Sequence, residues 1–418
     1  MNRIKKIYCR VFQFCFRAVL PVLPYREPEI LTDMEELGRV LKEKGKDHVL
    51  IVTDKVISSL RLLEGLEDEL KKAGVSYVIY DDTVQNPTID NVEQARQVYL
   101  SNDCSAVIAF GGGSSIDCAK AAAARIAKPK QPVSKMKGLL KIHRKLPLLI
   151  AIPTTAGTGS ETTLAAVITD SATHHKYPIN DFVLIPRYAV LDYHVTVGLP
   201  RHITSTTGMD ALTHAVEAYI GGSTTKLTRR MAEEAVCLIR DNLKRAYDNG
   251  EDAKARENML QAAYCAGIAF TRSYVGYVHG VAHSLGGRYG IPHGLANAVI
   301  LPYFLEEYGE SCEKRLGRLA RVCGIASKEA DDHTASKSFI DWVKEMNRSM
   351  EIPETIEGII EEDIPRMAAH ADKESNPLYP VPRLMDAQEL AGMYWKIAGK
   401  SRPADMPSQR ENMSQAEK

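Results

Sequence analysis

The chain has 418 residues, of which 44% are hydrophobic and 25% charged, a balance typical of globular proteins with room for two domains. Its 53 basic and 53 acidic side chains give a formal net charge of zero, which argues against a dominant nucleic-acid-binding surface. The eight cysteines are scattered and include no CxxC pair, so we expect reduced thiols in a cytoplasmic protein, without a disulfide framework.

Residues 1–29 are predicted to form an extension that contains an amphipathic helix. Two arginines interrupt its apolar residues, so the segment is predicted neither to span a membrane nor to act as a signal peptide, and Pro21 and Pro24 end the helix. We expect the helix to dock on its own protein or on a second subunit, and weak contact with a membrane surface is the alternative. The polar stripe between residues 3 and 23 consists of Arg3, Lys6, Arg10, Gln13 and Arg17, and between its members lie Ile4, Ile7, Tyr8, Val11, Phe14 and Ala18.

Residues 30–200 alternate short apolar strands with helical patterns. The strand-like runs are HVLIVTD, VSYVIYDD, AVIAFGGG and LPLLIAIPTT, with amphipathic segments between them. Such alternation predicts an α/β domain with a mainly parallel sheet that helices cover.

Two features at strand ends indicate nucleotide binding. Gly111–Ser114 lies where the third strand turns into a helix, so that backbone N–H groups and the helix dipole could hold a pyrophosphate. The turn departs from the Rossmann fingerprint because Ile116 occupies the place of its third glycine, and a simple tight turn is the alternative. Asp54 ends the first strand, where a carboxylate would bind ribose hydroxyls and repel a 2′-phosphate, which favours NAD over NADP. Its alternative role is a helix N-cap.

After Pro200 the sequence is predicted to be helical to about residue 400. Residues 201–400 are therefore expected to form an all-α domain, and the polar segment 401–418 a disordered tail.

The helical half contains a pattern typical of a metal site. Asp210 and His214 stand four residues apart in TTGMDALTHAVEAYI, so their side chains share one helical face. His279, His283 and His293 follow in GYVHGVAHSLGGRYGIPHG. A carboxylate with three neutral imidazoles forms an N3O set that suits Fe(II) or Zn(II). A single pair of this kind occurs for many reasons, but two pairs and a Pro-His-Gly turn together predict a metal site.

These motifs resemble a known family. GMDALTHAVEAY and VHGVAHSLGGRYGIPHG, followed by NAVILP, are similar to the two signatures of the iron-containing (group III) alcohol dehydrogenases, and GGGSSIDCAK and PTTAGTGSE continue the match over about residues 30 to 400. The resemblance implies that the metal ligands are Asp210, His214, His279 and His293, and that His283 lies beside the nicotinamide and the substrate. The cofactor-binding residues that it implies are Asp54, Asn86, Gly112, Gly113, Ser114, Asp117, Thr154, Thr155, Thr158, Ser160 and Lys176. For Asp117, capping the helix is the alternative role.

The resemblance implies reversible, NAD(H)-dependent oxidation of a small primary or secondary alcohol or diol. The metal, Fe2+ with Zn2+ as the alternative, would act as a Lewis acid while hydride passes to the nicotinamide. His283 is either a member of a proton relay or a histidine that packs around the ligands. We expect the protein to form a homodimer. Its expected substrate is a small alcohol or aldehyde, and we expect it to bind no nucleic acid.

Two other functions remain open at this point. A dehydroquinate-synthase-like lyase would use the same architecture, but it would need basic residues for a phosphorylated substrate. Only Arg272 and Arg288 lie near the histidine motifs in sequence. A membrane-surface interaction protein that uses residues 3–23 is the second alternative.

Overall fold

The computed structural model describes residues 1–171 and 176–401, so the predicted disordered tail lies, from residue 402 on, outside the described residues. The described chain forms two compact units. The sheet unit contains residues 23–211 and 238–272, and the helical unit contains residues 1–22, 212–237 and those from 273 onward.

The sheet unit is built on six parallel strands. Their order is β1-β9-β6-β4-β2-β3, and a smaller sheet has the order β5-β8-β7 with β7 and β8 antiparallel. The strands are β1 (Glu29–Leu31), β2 (His48–Val52), β3 (Ser76–Tyr80), β4 (Ala106–Gly111), β5 (Gly138–Leu139), β6 (Leu148–Pro153), β7 (Ala165–Thr169), β8 (Lys176–Asn180) and β9 (Tyr188–Val190).

The α-helices follow the predicted change from an α/β half to a helical half. They are α1 (Arg3–Val19), α2 (Met34–Glu43), α3 (Lys55–Ser59), α4 (Glu64–Ala73), α5 (Ile89–Ser101), α6 (Gly113–Ala127), α7 (Arg201–Ile220), α8 (Lys226–Asp248), α9 (Ala253–Ser273), α10 (Tyr277–Tyr289), α11 (His293–Tyr308), α12 (Glu310–Val322), α13 (Asp332–Ser349), α14 (Ile364–Ser375) and α15 (Ala387–Ile397). The predicted fold class, an α/β N-terminal half and a helical C-terminal half, is confirmed.

The large sheet is buried on both faces. Val49 and Ile51 of β2 belong to a hydrophobic cluster that includes α2 and α4, whereas Leu50 and Val52 belong to a cluster that includes α5 and α6. A strand that is covered on both sides has no polar face, which explains the continuous apolar runs in the sequence.

The order of the strands reverses between β2 and β4. The chain leaves β2 through α4 on one face of the sheet and leaves β4 through α6 on the opposite face. Ligands of open α/β sheets bind in the crevice that such a reversal leaves at the carboxyl ends of the strands. Asp54, after β2, and Gly111, at the end of β4, flank this point.

The helical unit is a set of helices that pack against one another, with α10 against α11 and α14, α12 against α13, and α14 against α15. Helix α1 belongs to this unit. None of the helices in the described ranges has the length and apolar character needed to cross a membrane.

Candidate metal and cofactor site

The predicted pyrophosphate loop is a tight turn from β4 into α6. Gly111 has φ +151°, and a Cβ there would lie 2.6 Å from Ser115 Oγ, so the position requires glycine. Gly112 is the N-cap of α6, and a Cβ at Gly113 would lie 3.1 Å from Thr158 Cγ2. The N-terminal N–H groups of α6 are thus next to a narrow, hydroxyl-rich space that suits an anionic group.

The loop after β6 lies directly beside this turn. The backbone N–H of Thr154 donates to Gly111 O over 3.1 Å, and Thr155 Oγ1 would be 3.5 Å from a Cβ at Gly112. Because β4 and β6 are parallel neighbours, their carboxyl ends bring these two predicted cofactor segments together.

Asn86, Ser114 and Lys176 form a third group of predicted cofactor residues. Lys176 Nζ donates to Asn86 Oδ1 over 2.7 Å, and the Asn86 N–H donates to Ser114 Oγ over 3.4 Å. Asn86 has φ +60°, a left-handed conformation that asparagine tolerates better than most residues. The structure therefore connects three segments that are far apart in sequence.

Asp54 has the alternative role as a helix N-cap. Its Oδ1 accepts hydrogen bonds from the N–H groups of Val56 (2.9 Å) and Ile57 (3.0 Å) at the start of α3. Its Oδ2 accepts a weak 3.4 Å hydrogen bond from Ser115. The cap leaves the second oxygen at the carboxyl edge of β2, so capping and ribose binding are compatible.

Asp117 bonds to protein groups rather than capping α6. Its carboxylate accepts hydrogen bonds from Ser160 Oγ (2.7 Å) and from the N–H of Val167 (2.9 Å). Loss of hydration raises its pKa, opposed by the positive charge of Lys120. These contacts fix the position of Ser160, another predicted cofactor residue.

Lys120 is a residue that the sequence reasoning missed, although it lies within the quoted motif GGGSSIDCAK. Its ammonium group is completely buried and donates to Ser160 O (2.6 Å), Thr163 O (2.9 Å) and Ala165 O (2.9 Å). Burial lowers the pKa of Lys120 to about 8 and raises that of the buried Glu161 to about 7. Lys120 therefore ties the loop after β6 to helix α6, a role that depends on long-range contacts and leaves no local pattern.

The four predicted metal ligands lie together. Asp210 and His214 are one turn apart on α7, His279 is on α10, and His293 is the first residue of α11. One potential ligand atom from each lies within 4.8 Å of those of the others, and all but the partly buried His293 are buried. The spacing of the four side chains is that of a single-ion site.

Glu217, on α7, orients His279, the predicted metal ligand on α10. Its Oε2 lies 2.6 Å from His279 Nδ1, and its Oε1 accepts a 2.9 Å hydrogen bond from the N–H of Val278. Burial raises the pKa of Glu217 to about 7. Burial, followed by the neighbouring histidines, holds the pKa of His279 well below its usual value, so the imidazole is neutral. Sequence reasoning missed Glu217, but its place seven residues after Asp210 on one helical face was a usable signal.

Asn297, on α11, is a third missed residue. Its completely buried side-chain amide lies 3.2 Å from His279 Nε2 and 3.1 Å from His293 Nε2. The Nε2 atoms of both imidazoles therefore lie near the same amide group, and in His279 the other nitrogen is bonded to Glu217, the usual arrangement of a metal-ligating histidine. A carboxylate and three imidazoles so arranged fit a divalent first-row metal.

His283 lies beside the cluster but outside it. Its ring stacks on that of His293 with centroids 5.3 Å apart, and its Nδ1 lies 2.6 Å from Glu374 Oε1. Tyr379 also donates to Glu374, over 2.8 Å. Burial opposes ionisation of Glu374, but His283 and the hydrogen bonds keep its pKa below the usual value. The His283 side chain is 35% exposed, so solvent can reach it.

Comparison with known proteins agrees with these features. The family model described as iron-containing alcohol dehydrogenase matches residues 32–193, and that described as the C-terminal part of the Fe-containing alcohol dehydrogenase family matches residues 204–397. Alcohol dehydrogenase 4 of Schizosaccharomyces pombe is 36% identical over 355 residues, covering 83% of this chain and 82% of the relative. The NAD-dependent methanol dehydrogenase of Bacillus methanolicus is 35% identical over 364 residues, covering 86% and 94%.

A solved structure described as 1,3-propanediol oxidoreductase has the same fold. It superposes with a TM-score of 0.85 and 32% sequence identity over 89% of this chain and 99% of that one. The two family models together match most of the sequence, and the predicted resemblance, including the class of metal-dependent alcohol dehydrogenase, is confirmed. The chain belongs to the iron-containing alcohol dehydrogenase family.

Proposed function

We propose that this protein interconverts a small primary or secondary alcohol, or a diol, and the corresponding aldehyde or ketone, with NAD(H) as the hydride carrier. The observation that carries the proposal is the N3O cluster, of which all members but His293 are buried and in which Glu217 fixes Nδ1 of His279. The names of the relatives, which include methanol and propanediol dehydrogenases, support a small alcohol as the substrate.

In this proposal Asp210, His214, His279 and His293 hold a divalent metal, Fe2+ in preference to Zn2+. Such an ion supplies Lewis acidity toward the hydroxyl group of an alcohol. The protein keeps His279 neutral through burial and fixes it through Glu217, so that this ligand is oriented in advance.

The carboxyl edge of the large sheet is the proposed NAD site. The N-terminus of α6 would bind the pyrophosphate, with the loop Thr154–Ser160 beside it, and NAD supplies the hydride acceptor. Oδ2 of Asp54, which accepts only the weak hydrogen bond from Ser115, would accept a ribose hydroxyl and disfavour a 2′-phosphate, which is the basis for proposing NAD rather than NADP. We further propose that the chain divides near residue 200 into a cofactor-binding domain before that point and a metal-binding domain after it.

His283 is the proposed member of a proton relay. It is partly exposed, its ring contacts that of the ligand His293, and Glu374 fixes its Nδ1. An imidazole in this position can pass the proton of the alcohol to solvent through Nε2. Glu374 acts as its positioning residue.

A cytoplasmic homodimer is the proposed form of the protein. All eight cysteines are free thiols and most are buried, which suits a reducing compartment. Sedimentation velocity at micromolar concentration tests the dimer, and a monomer would contradict it.

The most informative experiment is metal analysis of anaerobically purified protein, followed by a panel of alcohols and aldehydes. We expect net formation of NADH with an alcohol in the presence of the bound metal. Release of phosphate from a phosphorylated substrate without net change of NAD would instead support the lyase.

A further inference from the structure

Helix α1 docks on the helical unit through a face that carries both polar and apolar side chains. Gln13 Nε2 donates to the carbonyl groups of Tyr379 (2.7 Å) and Pro377 (3.1 Å), and Lys5 forms a 2.8 Å ion pair with Asp372. Arg10 donates to two further backbone carbonyl groups in the same region. Cys9 and Gln13 are the buried side chains of the helix. The docked face takes up few of the large apolar side chains of the helix, whereas most surface helices bury them.

Most of the apolar side of α1 faces outward. Its side chains form one continuous strip along the helix from Ile4 to Phe14, about 15 Å long at 1.5 Å per residue. A single exposed hydrophobic residue is ordinary, but a contiguous apolar strip marks an interaction surface. The exposed fractions in this strip are 80% for Ile4, 56% for Ile7, 58% for Tyr8, 55% for Val11 and 73% for Phe14.

A row of positive charge borders the apolar strip. Arg3, Lys6 and Arg17 are exposed, lie on the same side of the helix at spacings of three and eleven residues, and form no ion pair with any residue in the described ranges. The helix contains five basic residues and no acidic residue, although the whole chain has a net charge of zero. The apolar strip and its basic edge therefore match a surface that is apolar inside and negatively charged at its rim.

An anionic lipid bilayer has both properties, since acyl chains lie below negatively charged headgroups. A second copy of the chain fits less well. A symmetric contact through this strip would place two acid-free helices opposite each other, with like charges at both rims. The helix also lies outside residues 32–193 and 204–397, which the family models match, so the surface is separate from the alcohol dehydrogenase fold.

We infer that α1 is a peripheral membrane anchor that lies in the interface of an anionic bilayer. Ile4, Ile7, Val11 and Phe14 insert between the headgroups, and the basic row contacts the lipid phosphates. Amphipathic helices of this length bind reversibly, so we expect weak, salt-sensitive attachment. The inference does not depend on the proposed alcohol dehydrogenase reaction.

Vesicle co-sedimentation of the full-length protein tests this inference. We expect binding to phosphatidylcholine vesicles that contain about one third phosphatidylglycerol, and much weaker binding to pure phosphatidylcholine. Ile7→Ser with Phe14→Ser should weaken binding at least about tenfold, because two large apolar side chains no longer insert. Replacing Arg3, Lys6 and Arg17 by Gln should weaken it about tenfold to 100-fold and remove most of its salt dependence.

The matched control is Leu100→Ser with Val322→Ser, which removes two exposed apolar side chains from other helices, 43% and 52% exposed. It should bind vesicles like the wild type. All variants change surface residues, so a circular-dichroism spectrum and a thermal unfolding midpoint like those of the wild type confirm that they fold. A polarity-sensitive fluorophore on Cys15, the one thiol among the eight that is exposed rather than buried or half-buried, gives an independent readout, and its emission should shift to the blue on anionic vesicles.

Three results would overturn the inference: no binding of the wild type to anionic vesicles, equal binding of the wild type and the Ile7/Phe14 variant, or equal binding to anionic and neutral vesicles. Sedimentation velocity in the absence of lipid tests whether a second copy of the chain covers the apolar strip instead. If the Ile7/Phe14 variant forms a smaller assembly than the wild type and the wild type does not bind vesicles, the strip is covered by a second copy.

Discussion

Replacing Glu217 by Gln should weaken metal binding without removing a ligand. The carboxylate accepts hydrogen bonds from both His279 Nδ1 and the N–H of Val278. Glutamine has one acceptor oxygen, so one of these two buried donors would face an amide N–H group. An unmet buried donor costs about 1–3 kcal/mol, and changes in residues that orient a ligating histidine typically reduce metal affinity about 10- to 100-fold. The two estimates agree, since about 1.4 kcal/mol corresponds to a factor of ten.

Anaerobic competition of the protein with a chelator for Fe2+ measures this affinity directly. Glu233→Gln is the matched control: Glu233 is a partly buried carboxylate of the same unit, and its hydrogen bond from Tyr219 (2.8 Å) can be retained by glutamine. We expect the control to keep the wild-type affinity. If a folded Glu217→Gln variant also binds Fe2+ within about twofold of the wild type, less than roughly 0.5 kcal/mol, then Glu217 does not orient a metal ligand.

Three further predictions concern other parts of the molecule. Asp54→Asn keeps the cap of α3 and removes the charge, so the NADP/NAD ratio of kcat/KM should rise; a change within about twofold, roughly 0.4 kcal/mol, would leave Asp54 as a cap alone. His283→Ala should keep the metal, slow turnover about 10²- to 10⁴-fold and alter the pH–rate profile, and Glu374→Gln should have a smaller effect in the same direction. If His283→Ala turns over like the wild type across the pH range, His283 is not part of a proton relay. Because burial raises the pKa of Glu161 from about 4.5 to about 7, the free energy of unfolding of the wild type should fall as pH rises between these values. Glu161→Gln should therefore be more stable than the wild type at pH 8 by up to about 3 kcal/mol, but not at pH 4. Denaturant titrations that give the same difference between variant and wild type at both pH values would refute this.

Features that depend on local pattern were predictable from the sequence. The apolar runs around β2 and β4 predicted a parallel sheet, because a strand that is buried on both faces needs no polar side chains. The spacing of Asp210 and His214 predicted that the two side chains share one face of a helix, and in the structure both residues lie on α7, one turn apart. The amphipathic pattern of α1 predicted a helix, but periodicity does not specify which side docks. That choice depends on the carbonyl groups near Tyr379, far along the chain.

The contacts that organise the candidate site depend on tertiary structure. Lys120 is buried because three carbonyl groups of a distant loop surround its ammonium group, and no local spacing indicates this. Asp54 shows the opposite case, since the sequence allowed both a cap and a cofactor role and the structure contains the cap. Glu374 is paired with His283 only through the packing of α14 on α10, although ninety-one residues separate them.

The metal content of anaerobically purified protein tests the central claim most directly, measured for the wild type and for His279→Ala and His293→Ala. We predict about one divalent ion per chain in the wild type, and loss of most metal together with nearly all alcohol oxidation in both variants. Unchanged metal content in both variants would contradict the ligand assignment. A wild type that carries no divalent metal and still forms NADH from an alcohol would contradict the proposed role of the site.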